Sequence, residues 1–77
     1  EKRRMRNRIF RGSTRRAIAK ARVAIVGGGL DTARETTLEA VSQLDHAAQK
    51  GVLHKNNASR RKSRLMKALA ALEKAQA

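Results

Sequence analysis

Between Lys55 and Arg64 five cationic side chains, Lys55, Arg60, Arg61, Lys62 and Arg64, fall within ten residues. Asn56, Asn57, Ser59 and Ser63 are interleaved with them, and such amide and hydroxyl groups bond phosphate and sugar oxygens directionally. Charge alone would suit any anionic surface; the small polar side chains point toward a polyanion that carries ribose. A second run, Lys2 to Arg22, holds ten cations and a single carboxylate, Glu1, at its edge. Solvated helical faces mix signs, so this run also reads as a binding surface. Bond-breaking chemistry has no candidates. The chain has no cysteine, which removes disulfides, thiolate nucleophiles and zinc-thiolate sites. His46 and His54 are the only histidines, and neither has an acidic pair at ligand spacing. A binding protein without catalytic residues, metal or cofactor is therefore expected.

The elements that must position these residues are helices. The chain contains no proline, and its pattern breaks only at Gly27 to Gly29 and at Gly51. The expectation is an all-α, antiparallel three-helix bundle, a single domain over residues 1–77 with helices at about 2–26, 31–50 and 56–75. At 100° per residue, Phe10, Thr14, Ala17, Ile18, Ala21, Ala24 and Ile25 share one face of the first helix. Upstream of Phe10 that face carries Asn7, Arg6 and Arg3, so the first third is expected to project as a basic helical arm. The second stripe is Leu30, Ala33, Thr37, Leu38, Val41, Leu44 and Ala48. The third is Ala58, Leu65, Ala68, Leu69 and Leu72, with Met66 at its periphery. Asp31 or Thr32 is the expected cap of the second helix, with Thr32 and Glu35 as a capping box. Lys50 and Gly51 read as a left-handed helix end, and Asn56 or Asn57 as the cap of the third helix.

Apolar residues make up 40% of the chain, but nearly half of them are alanine, with one Phe and no Trp or Tyr. Each buried position removes little area from water, so the core must be thin. Residues 1–26 carry +9, residues 27–50 carry −2 and residues 51–77 carry +6, giving a net charge of +13. A thin core under that much like charge repels itself, and a bound polyanion relieves it. Partial disorder in isolation, with ordering on the partner, is the expected consequence.

Competing readings of the same features are weaker. No apolar run approaches the roughly 18–20 residues of a membrane span, so a soluble protein is expected. A basic amphipathic helix also suits an anionic bilayer, but the Trp, Phe and Leu face that would anchor it is missing. Val23 to Gly29 resembles the entrance to a dinucleotide-binding turn, yet the third glycine is absent and the remaining chain cannot build the parallel sheet. A nucleoid-type DNA-compacting protein would share the charge and helicity. A basic inhibitor of an acidic protein would dock the same faces on carboxylates. The single Phe10 argues against base stacking as the main mode of recognition.

Lys50-Gly51-Val52-Leu53-His54-Lys55-Asn56-Asn57-Ala58-Ser59-Arg60-Arg61-Lys62-Ser63-Arg64-Leu65 resembles the signature of the bacterial-type small-subunit ribosomal protein S-twenty family. Leu44-Asp45-His46-Ala47-Ala48 resembles that family's second-helix ending. Met5-Arg6-Asn7-Arg8, with Ser13, Thr14, Arg15 and Lys20, is similar to its first helix. Ile9, Phe10, Gly12 and the Gly27 to Gly29 run depart from the pattern. The resemblance implies a three-helix bundle that binds small-subunit (16S-type) rRNA at its 5′ domain and long penultimate helix, with other ribosomal proteins nearby. It also implies residence in the cytoplasmic ribosome of a bacterium, or in an organellar ribosome. Carried over by position, the RNA contacts are Arg4, Arg6, Asn7, Arg8, Arg15 and Arg16 on the first helix. At the start of the third they are His54, Lys55, Asn56, Arg60, Lys62, Ser63 and Arg64. The charge map adds Lys2, Arg3, Arg11, Ser13, Lys20, Arg61 and Lys67.

Overall fold

The computed structural model describes residues 2–76, with side chains from Asn7 onward. Three helices follow one another, α1 (Lys2–Gly27), α2 (Leu30–Gln49) and α3 (Lys55–Gln76), each bound lying within one residue of expectation. Both α1 and α3 pack chiefly on α2 and touch each other over a smaller area. The directions follow from cross-helix contacts. Ser13 Oγ donates to Gln43 Oε1 at 3.4 Å, and Phe10 stacks on His46 with ring centroids 5.5 Å apart, which sets α1 antiparallel to α2. Lys62 with Asp45 near one end, and Arg34 with Glu73 near the other, set α2 antiparallel to α3. Gln76 Nε2 donates to the Gly28 carbonyl at 2.6 Å, tying the end of α3 to the first turn.

The core is as thin as composition requires. Ile18 and Ala21, Ala40 and Leu44, and Ala58 and Leu65 form one cluster, bordered by Ala17, Ala48 and Leu53. Each buried alanine methyl contributes about 0.8 kcal/mol, against roughly 1.5–3 kcal/mol for a fully buried Leu or Ile side chain. The four buried Leu and Ile residues, Ile18, Leu44, Leu65 and Leu69, therefore carry much of the apolar stabilisation. Thr14 and Thr37 are buried with no hydrogen-bond partner for their hydroxyls. The Thr36 hydroxyl instead donates back to the Thr32 carbonyl at 2.7 Å.

The helix ends correct several expectations. The cap of α2 is Gly29, with extended backbone and no side-chain hydrogen bond, rather than Asp31 or Thr32, so the expected capping box is not formed. Its carbonyl accepts the first helical bond, from the Ala33 amide at 2.8 Å. The glycine turn is too short to leave Leu30 and Asp31 outside the helix. At the other end Gly51 takes φ +76°, and the amides of Gly51 and Val52 donate to the carbonyls of Ala48 and Ala47. This is the left-handed helix end that Lys50 and Gly51 implied, and it turns Val52 into the core. The cap of α3 is His54, not Asn56 or Asn57. Its Nδ1 accepts the Asn56 amide at 3.1 Å, and its carbonyl accepts the Ala58 amide at 3.0 Å.

The stripes are corrected in detail. α2 buries Ala33, Thr37 and Leu44 as expected, with Thr36, Ala40 and Ala47 more buried than Leu38, Val41 and Ala48. Leu38 is consequently 66% exposed. Small side chains on this face let neighbouring helices approach closely, a gain that outweighs burying one leucine. Ala68 and Met66 are also exposed, because α3 offers α2 a narrow stripe centred on Leu65 and Leu69. Packing on α1 reaches back to Phe10, where the expected core-facing stripe begins.

Candidate nucleic-acid interface

Two cationic faces emerge from this packing. On α1, Arg8, Arg11, Arg15, Arg16, Lys20 and Arg22 are all exposed. On α3, Lys55, Arg60, Arg61, Arg64 and Lys67 are exposed too. Arg60, Arg64 and Lys67 follow one another at i, i+4 and i+7, which places them along one side of α3. The side chains of Lys2, Arg3, Arg4 and Arg6 lie outside the described residues, although their backbone continues α1.

The turn before α3 brings the two faces together. Arg11 and Arg15 of α1 line a cleft of about 310 Å³ with His54, Asn57 and Arg61, over a floor of Thr14, Ala47, Val52 and Leu53. A second cleft continues along α1, lined by Arg15, Ile18, Ala19, Arg22 and Arg61. Arg15 and Arg61 thus stand between the two. Asn57 and Arg22 lie in the two basic stretches read as binding surfaces, but neither is among the individual contacts carried over by position or added by the charge map. Their signal is spacing: Asn57 precedes Arg61 by four residues, and Arg22 follows Arg15 by seven.

Other candidate residues are placed elsewhere. Ser13 faces the α1–α2 groove, where it bonds Gln43 among Phe10, Glu39, Ser42 and His46. Lys62 turns back to Asp45, with 3.5 Å between Nζ and Oδ2. Asn56 gives its backbone N–H to His54 Nδ1 and is exposed at the start of α3. Asn7 is half-buried, and Ser63 is exposed on α3.

Charge sorting follows. Among the described residues the ion pairs are Arg34 with Glu73 and Lys62 with Asp45, both joining α2 to α3. These partly exposed pairs contribute about 0–1 kcal/mol each. The remaining described cations of α1 and α3 have no described carboxylate within pairing distance. They form a dense set of N–H donors over a surface with strong positive potential. Such an arrangement displaces counterions from closely spaced phosphates and bonds their oxygens. No described helix is long and apolar enough to cross a membrane, and no described group of three or more His, Cys, Asp or Glu could hold a metal ion.

The family model described as ribosomal protein S20 matches residues 1–70. The chain belongs to this family. Among S-twenty relatives, the small ribosomal subunit protein bS20 of Thermomicrobium roseum is 53% identical over 75 residues, covering 97% of this chain and 76% of the relative. That of Streptomyces griseus is 44% identical over 73 residues, covering 95% and 83%. A Roseiflexus relative is 49% identical over 69 residues, covering 90% and 74%. The S-twenty match includes both the His54 turn and the first four turns of α3, with the cations from Lys55 to Lys67.

Proposed function

We infer that this chain is a structural, non-enzymatic constituent of the small ribosomal subunit in the cytoplasm, where it binds small-subunit rRNA. The observation that carries this reading is the pairing of family membership with two outward cationic faces whose charges the protein itself leaves largely unneutralised. The α1 and α3 faces clamp separate RNA segments. Lys and Arg replace counterions on phosphates, and Asn, Ser and His add directional bonds to phosphate, sugar or base edges. Helical RNA has a deep, narrow major groove, so recognition is of shape, across minor grooves and at junctions. The RNA regions are the 5′ domain and the long penultimate helix, as the family resemblance implies, and residues 1–77 act as one binding domain.

The test is the salt dependence of binding to a small-subunit rRNA transcript. Replacing Arg60, Arg61 and Arg64 by Ala is expected to flatten the log–log slope by about 0.7–0.9 for each phosphate that the variant no longer neutralises. Arg34→Ala, on the α2 side, is expected to leave the slope unchanged. A triple variant with the wild-type slope would remove α3 from the interface.

A further inference from the structure

We propose that the cleft between α1 and the start of α3 is a seat for a single phosphate group, occupied in the assembled particle by one RNA phosphodiester, which bridges α1 to α3. The proposal rests on the rRNA-binding reading and adds to it a defined subsite with a structural role. Four observations converge on this cleft.

The polar side chains that line it are all potential donors: Arg11, Arg15 and Arg61, with Asn57 and His54. No carboxylate is among the lining residues. Three guanidinium groups from two helices around one concavity match the oxygens of a phosphate, which Arg binds in bidentate fashion.

The His54 ring is committed by its cap. Nδ1 accepts the Asn56 amide, so a neutral imidazole carries its proton on Nε2 and has a donor left for an acceptor in the cleft. The same cap makes this the N-terminus of α3, whose dipole favours an anion.

The floor holds an unsatisfied group. Thr14 is 4% exposed, lines the cleft, and its hydroxyl has no protein partner. Buried hydroxyls are ordinarily bonded, and this one is left without a partner beneath the cleft.

Finally, the cleft lies at the weakest interhelical contact. The α1–α3 contact is the smallest of the three, and Arg15 of one helix and Arg61 of the other line both clefts there with no described carboxylate within pairing distance. Like charges there oppose closure, and an anion bound between them reverses the sign of the interaction. The bundle is thus built with its third interface completed by the ligand.

The experiment uses inorganic phosphate as the probe, with ionic strength held constant by chloride. Wild-type protein is expected to show a saturable rise in melting midpoint with phosphate. In Arg15→Gln and Arg61→Gln the apparent phosphate affinity falls by about tenfold or more, the loss expected for a charge-assisted bond. In Lys74→Gln, which removes one positive charge from the exposed far end of α3, it is expected to hold. Because the two arginines grip the same group, the double variant should lose little more than either single variant, the non-additivity of a shared partner. Line broadening in phosphorus NMR gives the same affinities directly, so a variant with a poor melting transition is still read.

Additive losses, or equal losses in Lys74→Gln, would overturn the seat and leave only diffuse screening. A wild-type protein that prefers the ribosomal transcript yet shows no phosphate effect beyond chloride would sink this proposal alone. A phosphate effect without any transcript preference would instead sink the ribosomal reading beneath it.

Discussion

His54 joins the local structure of this protein to its proposed chemistry. One ring nitrogen closes the first turn of α3, and the ring lines the cleft between the cationic faces. Removing the cap is expected to cost about 0.5–1 kcal/mol in His54→Ala, whereas His54→Asn supplies a side chain that caps at least as well. Urea denaturation of the two variants checks this. If His54 also reaches the RNA, the Asn variant keeps wild-type stability while losing affinity, which separates the two roles. The capping residue was not legible in the sequence, because Asn56 and Asn57 are the better intrinsic caps and outrank a histidine on propensity. What decided the matter was Gly51: its left-handed turn drives Val52 into the core and brings the chain into helix one residue earlier. The exposure of Leu38 was hidden for a similar reason. Its apolar character argues for burial, but the alanine and threonine face beside it packs more closely.

At the scale of elements, the glycines divide into those the fold requires and those it tolerates. Gly51 sits at φ +76°, and although a Cβ there would meet no atom within 4 Å, the backbone conformation itself is strained for any L side chain. Gly51→Ala is expected to destabilise by about 1–2 kcal/mol. Gly12 lies within α1, and a Cβ there would meet only the end of the Arg16 side chain, at 3.4 Å. Gly12→Ala is expected to stabilise by roughly 0.5–1 kcal/mol through helix propensity. Thermal melts of the two variants should move in opposite directions. Helix number and bounds were legible because glycine is the only breaker in a chain without proline. The capping residue of α2 was not, since three consecutive glycines mark the break without a side chain to mark which of them caps the helix.

For the whole molecule, charge and core are opposed. A net charge of +13 rests on 77 residues whose buried side chains are mostly alanine and threonine. The free protein in low salt is expected to show less helix by circular dichroism than the bundle contains, with helix rising as RNA or salt is added. A fully helical, sharply melting free protein would contradict this. The allotment of charge was readable from segment totals, because the carboxylates cluster in one helix. The convergence of Arg11, Arg15 and Arg61 was not, because it depends on how α1 and α3 are set against each other across α2. The most direct measurement of the central claim is affinity for a transcript of the small-subunit rRNA 5′ domain, beside an unrelated structured RNA of equal length and duplex DNA, at about physiological salt. Specific and electrostatic binding separate under those conditions. Preference for the ribosomal transcript by about a hundredfold or more is expected. Equal affinity for all three would contradict it and mark the chain as a generic polycation of the DNA-compacting kind.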